Sequence, residues 1–382
     1  MTICDLTSAY TTASGGIRTY LHEKRRFILA HTPHRHVMVV PGAMDEVVRE
    51  GRAVTYTVRG LPIPGCAPYR ALHRLDKVLG ILHHERPDIL ELGTGYALPW
   101  AAFRFRRHSG AAVVGFCHTD YVHAYVRPFL VRRAPLLAGA GTRLALRHFV
   151  WVYRNCDAVF AASDAMIGVL ADAGVDAVKT PLGVDVELFH PARRDDAFRR
   201  DLGVSPGGIL VTYAGRLDEE KRIGMLLEAF RKAMPHFGGS LLIVGDGPCG
   251  SVVDSAVSTC PRIRRIPYQH DRLQLARILA SADIYVTAGP YETFALSVVE
   301  AQASGLPVVG VKAGALIERV PKSLGLLGEV DSAHDIAENL IALSCNGMRD
   351  KGRAARGMVE ATLSWQTSLS RLVRTYEDLR CP

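Results

Sequence analysis

Two glutamates, Glu292 and Glu300, stand with seven residues between them in Tyr291-Glu292-Thr293-Phe294-Ala295-Leu296-Ser297-Val298-Val299-Glu300. An apolar strand pattern, Asp283 to Thr287, runs into Gly289-Pro290, and the helical pattern that follows ends at Gly305 with Pro307 beyond it. At ~1.5 Å per residue this puts Glu292 on the loop at the helix mouth and Glu300 about two turns in. The amides of Thr293, Phe294, Ala295 and Leu296 open the helix with unpaired N–H groups, an anion site aided by the helix dipole. Phosphate in the middle and hydroxyls at both ends describe a nucleotide-sugar. The simpler reading is that Glu292 complements the dipole and Glu300 is solvated. Against it stand the small, apolar neighbours of Glu300, among which an unpaired carboxylate is costly.

Other residues are expected to join this pair. The strand Ile209 to Ala214 meets Gly215 and Arg216, then the acids Asp218, Glu219 and Glu220, then Lys221 at a helix start. Arginine grips a diphosphate through parallel hydrogen bonds and lysine adds a compact charge. Taken alone, the two cations would pair with those acids at a solvated turn; beside Glu292 and Glu300 they are expected to meet a leaving diphosphate. His118 ends the apolar strand Ala111 to Cys117, where a parallel sheet opens its ligand crevice, and Asp120 is expected to orient its ring. Asp120 and Tyr121 are candidate acceptor contacts. Gly15 and Gly16 end the polar loop from Thr11, at the mouth of a helix expected over Ile17 to Ala30, and would let amides approach a phosphate; Arg18 lies just inside. His31, His34 and His36 have no nearby carboxylate or cysteine to complete a metal set and are expected at the surface.

The elements that must position these residues alternate. Strands are expected at Val37–Val40, Val54–Val58 and Asp88–Leu92, with helices at Tyr69–His84 and near Trp100. Such alternation predicts an α/β protein with parallel sheets covered on both faces. Ser163 or Asp164 should cap a helix after the strand that ends at Ala162. The turn-rich run Pro181 to Pro191 predicts a hinge, dividing the chain into domains 1–190 and 191–363.

Tyr291-Glu292-Thr293-Phe294 with Val299-Glu300-Ala301-Gln302-Ala303-Ser304-Gly305-Leu306-Pro307 resembles the signature of the family 4 retaining glycosyltransferases. The resemblance implies the GT-B fold, two Rossmann-like domains facing a central cleft, with a terminal helix, 364–382, crossing back to the first domain. It implies that Glu292 faces the donor sugar, Glu300 the ribose, and Arg216 with Lys221 the phosphates. Gly15 and Gly16 resemble the family's N-terminal glycine loop, and Tyr268 stands where the family contacts the nucleobase, largely through backbone. Phe116-Cys117-His118-Thr119-Asp120-Tyr121 resembles the branch with lipid α-mannosyltransferases and sulfoquinovosyltransferases, in which the histidine lines the sugar pocket. Ala295 departs from the pattern, since many members have glycine there.

The 382 residues are 48% hydrophobic and 22% charged, enough for two domains with sizeable cores and unlike a disordered chain. Apolar runs are broken well before the ~20 residues a membrane helix needs, and a cytoplasmic protein is expected, with the inner membrane face as a variant. Eight cysteines show no C-x-x-C pair and are expected as reduced thiols. Of the net charge of +8, residues 1–190 hold +6, mostly as arginine in Arg104, Arg106, Arg107 and in Arg127, Arg132, Arg133, Arg143, Arg147. That face would suit an anionic membrane or an acidic acceptor, or is simply solvated; no nucleic-acid module accompanies it. D-x-D, the usual metal clamp on nucleotide-sugars, is absent, so no cofactor and no metal are expected. The resemblance implies transfer with retention from a GDP- or UDP-sugar to a lipid or glycan. A nucleotide-sugar epimerase of the same fold and a non-catalytic binding scaffold stay open as alternatives. A nicotinamide oxidoreductase is disfavoured because Gly93-Thr94-Gly95 lacks the third glycine.

Overall fold

Apolar runs become strands buried along their whole length, such as Thr2–Leu6 and Ala112–Cys117. Strands with no wet face belong to parallel sheets sandwiched between helices. The computed structural model describes residues 1–11, 15–63 and 69–380, so residues 12–14 of the expected polar loop and two of the cysteines, Cys66 and Cys381, lie outside the described residues. Two compact units result, Met1–Pro181 with Gln366–Pro382, and Leu182–Trp365.

The first unit's sheet runs, in spatial order, Val178–Lys179, Ala158–Ala161, Ala112–Cys117, Ile89–Leu92, Thr2–Leu6, Arg35–Gly42, Ala53–Arg59 and Glu46–Glu50. All neighbours are parallel except the last pair. The antiparallel edge strand Glu46–Glu50 is absent from the sequence-based expectation. Its five residues are all exposed, and its charges discourage pairing with another chain's edge. The helix Gly16–His31 connects Thr2–Leu6 to its neighbour, and Leu75–Glu85 replaces the longer helix expected from Tyr69, because Arg70–Ala71 is extended. Ser163 caps the helix Asp164–Asp172 through the Met166 amide.

Register sets Asp5 opposite Glu91 on the adjoining strand, and a buried charge network forms there. Lys24 from the helix Gly16–His31 places Nζ 2.6 Å from Asp5 and 3.0 Å from Glu91. Tyr20 donates to Glu91 at 2.9 Å, and Tyr376 donates to its other oxygen from the terminal helix Trp365–Asp378. His36, expected at the surface, is fully buried, and His34 is buried too. Arg25 donates to His36 Nδ1 at 3.0 Å, so Nε2 carries the proton and donates to Asp5 at 2.6 Å.

The second unit's sheet is wholly parallel: Ile263–Ile266, Ser240–Val244, Leu210–Ala214, Ile284–Val286, Val308–Val311 and Gly325–Gly328. Strand order reverses at Leu210–Ala214, which makes the ends of that strand and of Ile284–Val286 the switch point where ligands bind in such sheets. The boundary between units falls at Pro181–Leu182 rather than at 190. Residues 182–190 are turn-rich in sequence, yet they pack into the second unit. Val184 donates to Leu363 O at 3.0 Å, Arg356 donates to Phe189 O at 3.0 Å, and a Cβ at Gly183 would lie 2.2 Å from the Trp365 nitrogen.

Candidate active site

In the second unit, Ile284–Val286 leads through the loop of Glu292 into the helix Leu296–Ala303. Ala295 caps that helix with φ 64° and ψ 54°, the left-handed conformation that glycine adopts at least cost. A glycine, which the resemblance leads one to expect here, would adopt that conformation without a Cβ in the way, whereas alanine carries one. Among the described residues no backbone carbonyl accepts from the amides of Phe294, Ala295 or Leu296. Thr293 and Leu296 are half-buried beside them, whereas Phe294 is buried with the Arg319 guanidinium 4.5 Å over its ring. Phe294 is therefore a wall of the loop, and only its backbone is available to a donor.

Glu292 is held from both ends. Its carbonyl accepts from the Ala315 amide at 2.7 Å, and its Oε1 lies 2.7 Å from Lys221 Nζ. Burial disfavours the charged lysine, but Glu292 and then Glu220 outweigh that and raise its pKa above the ordinary value. Arg216 ion-pairs with Asp218 and, at 2.5 Å, with Glu220. The internal pairing that was expected to yield to a phosphate is therefore present, among half-buried side chains instead of at a solvated turn. Two cations face three carboxylates there, so any anion approaching Arg216 would compete with Asp218 and Glu220. Gly215 lies between strand and Arg216; a Cβ there would meet the Tyr213 hydroxyl at 2.9 Å, and that hydroxyl donates to Arg216 O.

Glu300 is buried, as expected, but it is not unpaired. Arg272 donates to its Oε1 at 2.7 Å, while the same guanidinium lies 4.8 Å over the Phe189 ring. Burial of Glu300 therefore does not call for a ligand, because Arg272 already meets that need. Sequence reasoning missed Arg272, since nothing local ties it to a glutamate 28 residues on; the signal was that a carboxylate in apolar surroundings demands a cation somewhere. Tyr268 is half-buried, gives its amide to Asp246 Oδ2 at 2.9 Å and meets the His270 ring edge-on at 5.0 Å, so its N–H is engaged.

His118 is buried, stacked on Phe116 at 4.2 Å and edge-on to Tyr20 at 4.9 Å. Burial, and then the Lys24 charge, lower its pKa to about 3, so the ring is neutral. Asp120 does not orient it: the carboxylate accepts from His123 Nδ1 at 2.6 Å and from the His123 amide. His123 lies on the π-helical turn Val122–Val126, which no sequence pattern announced. Tyr121 is buried against Tyr96 and Phe149, and its hydroxyl has no hydrogen-bond partner among the described residues. Gly15 and Gly16 are half-buried at the helix start, and a Cβ on either would meet no atom of the described residues within 4 Å, so packing among those residues does not require glycine there. Arg18, one turn inside, is half-buried, and after burial its charge is the first that lowers the His22 pKa.

Residues 14–188 match the family model described as Glycosyltransferase Family 4, and residues 208–346 the one described as Glycosyl transferases group 1. A GDP-mannose-dependent alpha-mannosyltransferase of Mycolicibacterium smegmatis is 30% identical over 309 residues, 79% of this chain and 76% of that protein. The chain belongs to the family 4 glycosyltransferases. Similarity to a GDP-mannose-dependent alpha-(1-6)-phosphatidylinositol dimannoside mannosyltransferase of Mycobacterium tuberculosis runs almost end to end, 29% identity over 98% of this chain and 96% of that one. Among solved structures, sucrose-phosphate synthase from Thermosynechococcus elongatus matches with a TM-score of 0.79 at 19% identity, over 99% of this chain and 98% of that one. The fold of this glycosyltransferase is GT-B. No group of three His, Cys, Asp or Glu side chains able to hold a metal occurs among its described residues, and no described helix is long and apolar enough to cross a membrane.

Proposed function

We propose that this glycosyltransferase moves mannose from GDP-mannose to a hydroxyl of a lipid or glycan, with retention and without a metal ion, at the cytoplasmic face of a membrane. The observation that carries the reading is the mouth of the helix Leu296–Ala303. Three amides that meet no backbone carbonyl among the described residues are framed there by Lys221 with Glu292 on one side and by Glu300 with Arg272 on the other. Amides at a helix start suit phosphate, and paired carboxylates on either side suit hydroxyls. Guanine and mannose are taken from the two mycobacterial relatives, both GDP-mannose-dependent.

In this reading the diphosphate lies on the Phe294, Ala295 and Leu296 amides, and Arg216 turns to it from Asp218 and Glu220. Glu292 holds the sugar and keeps Lys221 in place, Glu300 takes the ribose, and the Tyr268 carbonyl meets the base. Gly15 and Gly16 offer amides to the substrate without a side chain in the way. The acceptor oxygen attacks the anomeric carbon from the face of the departing diphosphate; the bond from that carbon to the β-phosphate oxygen breaks, and the acceptor proton passes to the departing phosphate. The amides, Arg216 and Lys221 stabilise the charge that develops there, the term that usually contributes most to such catalysis. A ring that stays neutral down to about pH 3 is a poor proton acceptor, so His118 is assigned a hydrogen bond to substrate and no proton transfer. Arg18, Asp120 and Tyr121 are assigned to the acceptor.

The test is a thermal-shift panel of GDP, UDP, ADP and their sugars in EDTA, followed by NMR of the product's anomeric proton. A nucleotide at 100 times its Kd stabilises by ~2.7 kcal/mol. A shift confined to GDP and GDP-mannose, with an α-linked product, is expected. A shift with UDP alone, dependence on added metal, or a β-linked product overturns the corresponding part. Conversion of the donor into its epimer without any acceptor would instead identify an epimerase.

A further inference from the structure

Between Asp120 and Asp157 the chain carries six arginines, Arg127, Arg132, Arg133, Arg143, Arg147 and Arg154, and no acidic residue. This stretch folds as a helical hairpin, Arg127–Arg133 and Ala138–Arg154, joined by the tight turn Pro135–Leu137. Leu130 closes it against Gly141, where a Cβ would lie 2.6 Å from the leucine. No residue from Tyr125 to His148 is buried. Leu136 at the apex is 99% exposed, Leu137 65%, Leu144 69% and Phe129 63%, with Val131 beside them. Arg127, Arg133, Arg143 and Arg147 are exposed and make no ion pair among the described residues.

Large apolar side chains gathered on a surface mark an interaction site, and the charge around them selects its chemistry. A second copy of the chain would bring the same arginines face to face, since a two-fold contact meets itself. Nucleic acid would match the arginines and leave four aliphatic side chains without a complement. An anionic bilayer matches both: headgroup phosphates take guanidinium groups, and leucine and phenylalanine enter the acyl boundary while the arginines reach back to the interface.

We propose that the hairpin 125–148 docks this enzyme on an anionic phospholipid bilayer, with Leu136 and Leu137 inserted and Arg127, Arg132, Arg133, Arg143 and Arg147 on the headgroups. The inference deepens the acceptor reading above and rests on it for the reason the enzyme would visit a bilayer. Full-length protein is floated with vesicles of phosphatidylcholine alone and of phosphatidylcholine mixed with phosphatidylglycerol, without donor or acceptor. Tenfold or greater preference for the mixed vesicles is expected, along with a tenfold or greater loss of that binding in Leu136→Glu/Leu137→Glu. Leu136→Ser/Leu137→Ser should show the same trend, and both variants should melt like wild type. Soluble glycerol phosphate should not compete, which separates a bilayer from a free phosphate. Equal binding to both vesicles, or leucine variants that bind as wild type does, overturns the proposal, as does a patch that governs self-association or capture of an acidic protein instead. Transfer from GDP-mannose to a water-soluble acceptor, measured alongside, distinguishes the failures. Transfer without vesicle binding removes only the hairpin proposal, and vesicle binding without transfer removes only the donor reading.

Discussion

Lys221 Nζ lies 2.7 Å from Glu292 Oε1 although 71 positions separate them in the chain, and both side chains are largely withdrawn from water. The pair joins the start of one helix to the mouth of another across the strand switch point. Removing either partner strands the other, so the two should be energetically coupled. In urea unfolding, Lys221→Met and Glu292→Gln should each destabilise, and the double variant should recover ~0.5–3 kcal/mol relative to their sum. Strict additivity would show that the contact contributes nothing to stability. Each single variant should also lower kcat/KM by ~10²–10³, the usual cost of a group that faces developing charge.

Arg272 and Glu300 are unequal partners: the carboxylate is buried and the guanidinium is 38% exposed. Arg272→Ala therefore leaves a buried charge alone, whereas Glu300→Gln leaves an arginine that water can reach. The first should cost ~1–3 kcal/mol and the second ~1 kcal/mol or less, as read by chemical denaturation. Glu300→Gln should nonetheless lose most of the melting-temperature rise produced by GDP. Equal destabilisation would mean that Phe189, on which Arg272 stacks, matters more than the ion pair.

Ala295 sits at φ 64°, where a Cβ is a steric burden. Ala295→Gly relieves it but loosens the unfolded chain, so a gain of up to ~1 kcal/mol is expected, whereas a β-branched residue should destabilise clearly. Destabilisation by glycine would argue that the alanine methyl is held by packing.

Glu91 gives a pH dependence with an unusual sign. Burial, opposed by Lys24 and reinforced by Asp5, raises its pKa from 4.5 to about 7. The folded state therefore binds a proton more tightly than the unfolded state, and this group's contribution to stability falls as pH rises from about 4.5 to about 7, then levels off. Urea unfolding at pH 5.5 and 7.5 should show wild type losing stability relative to Glu91→Gln over that interval. A difference that stays constant between the two pH values would mean that Lys24 keeps Glu91 ionised throughout.

Local pattern carried much of this architecture. The loop-to-helix run from Glu292 to Glu300 was legible because a helix mouth, its breaker and its stop are all written within a few residues. What could not be read was tertiary. His36 looked like a surface histidine because its partners, Asp5 and Arg25, come from another strand and from a helix. Arg272 carries no mark of its glutamate. The edge strand Glu46–Glu50 has charge instead of apolar alternation, since an exposed strand has no core to face. The unit boundary lies earlier than the turn-rich run suggests, because Leu182 to His190 has the composition of a linker and the packing of a domain. Asp120 seemed made for His118, yet the π-helical turn brings His123 to it instead.

The terminal helix Trp365–Asp378 delivers Tyr376 to Glu91 and to the ring of Phe160, both in the first unit. During synthesis the intervening second unit emerges before those last turns do. The first sheet is thus translated early and finished late: until Tyr376 leaves the ribosome, Glu91 lacks one of its hydrogen-bond donors and a face of the core stands open. The nascent first unit has to wait until the second has been translated, which couples completion of the one domain to the prior synthesis of the other.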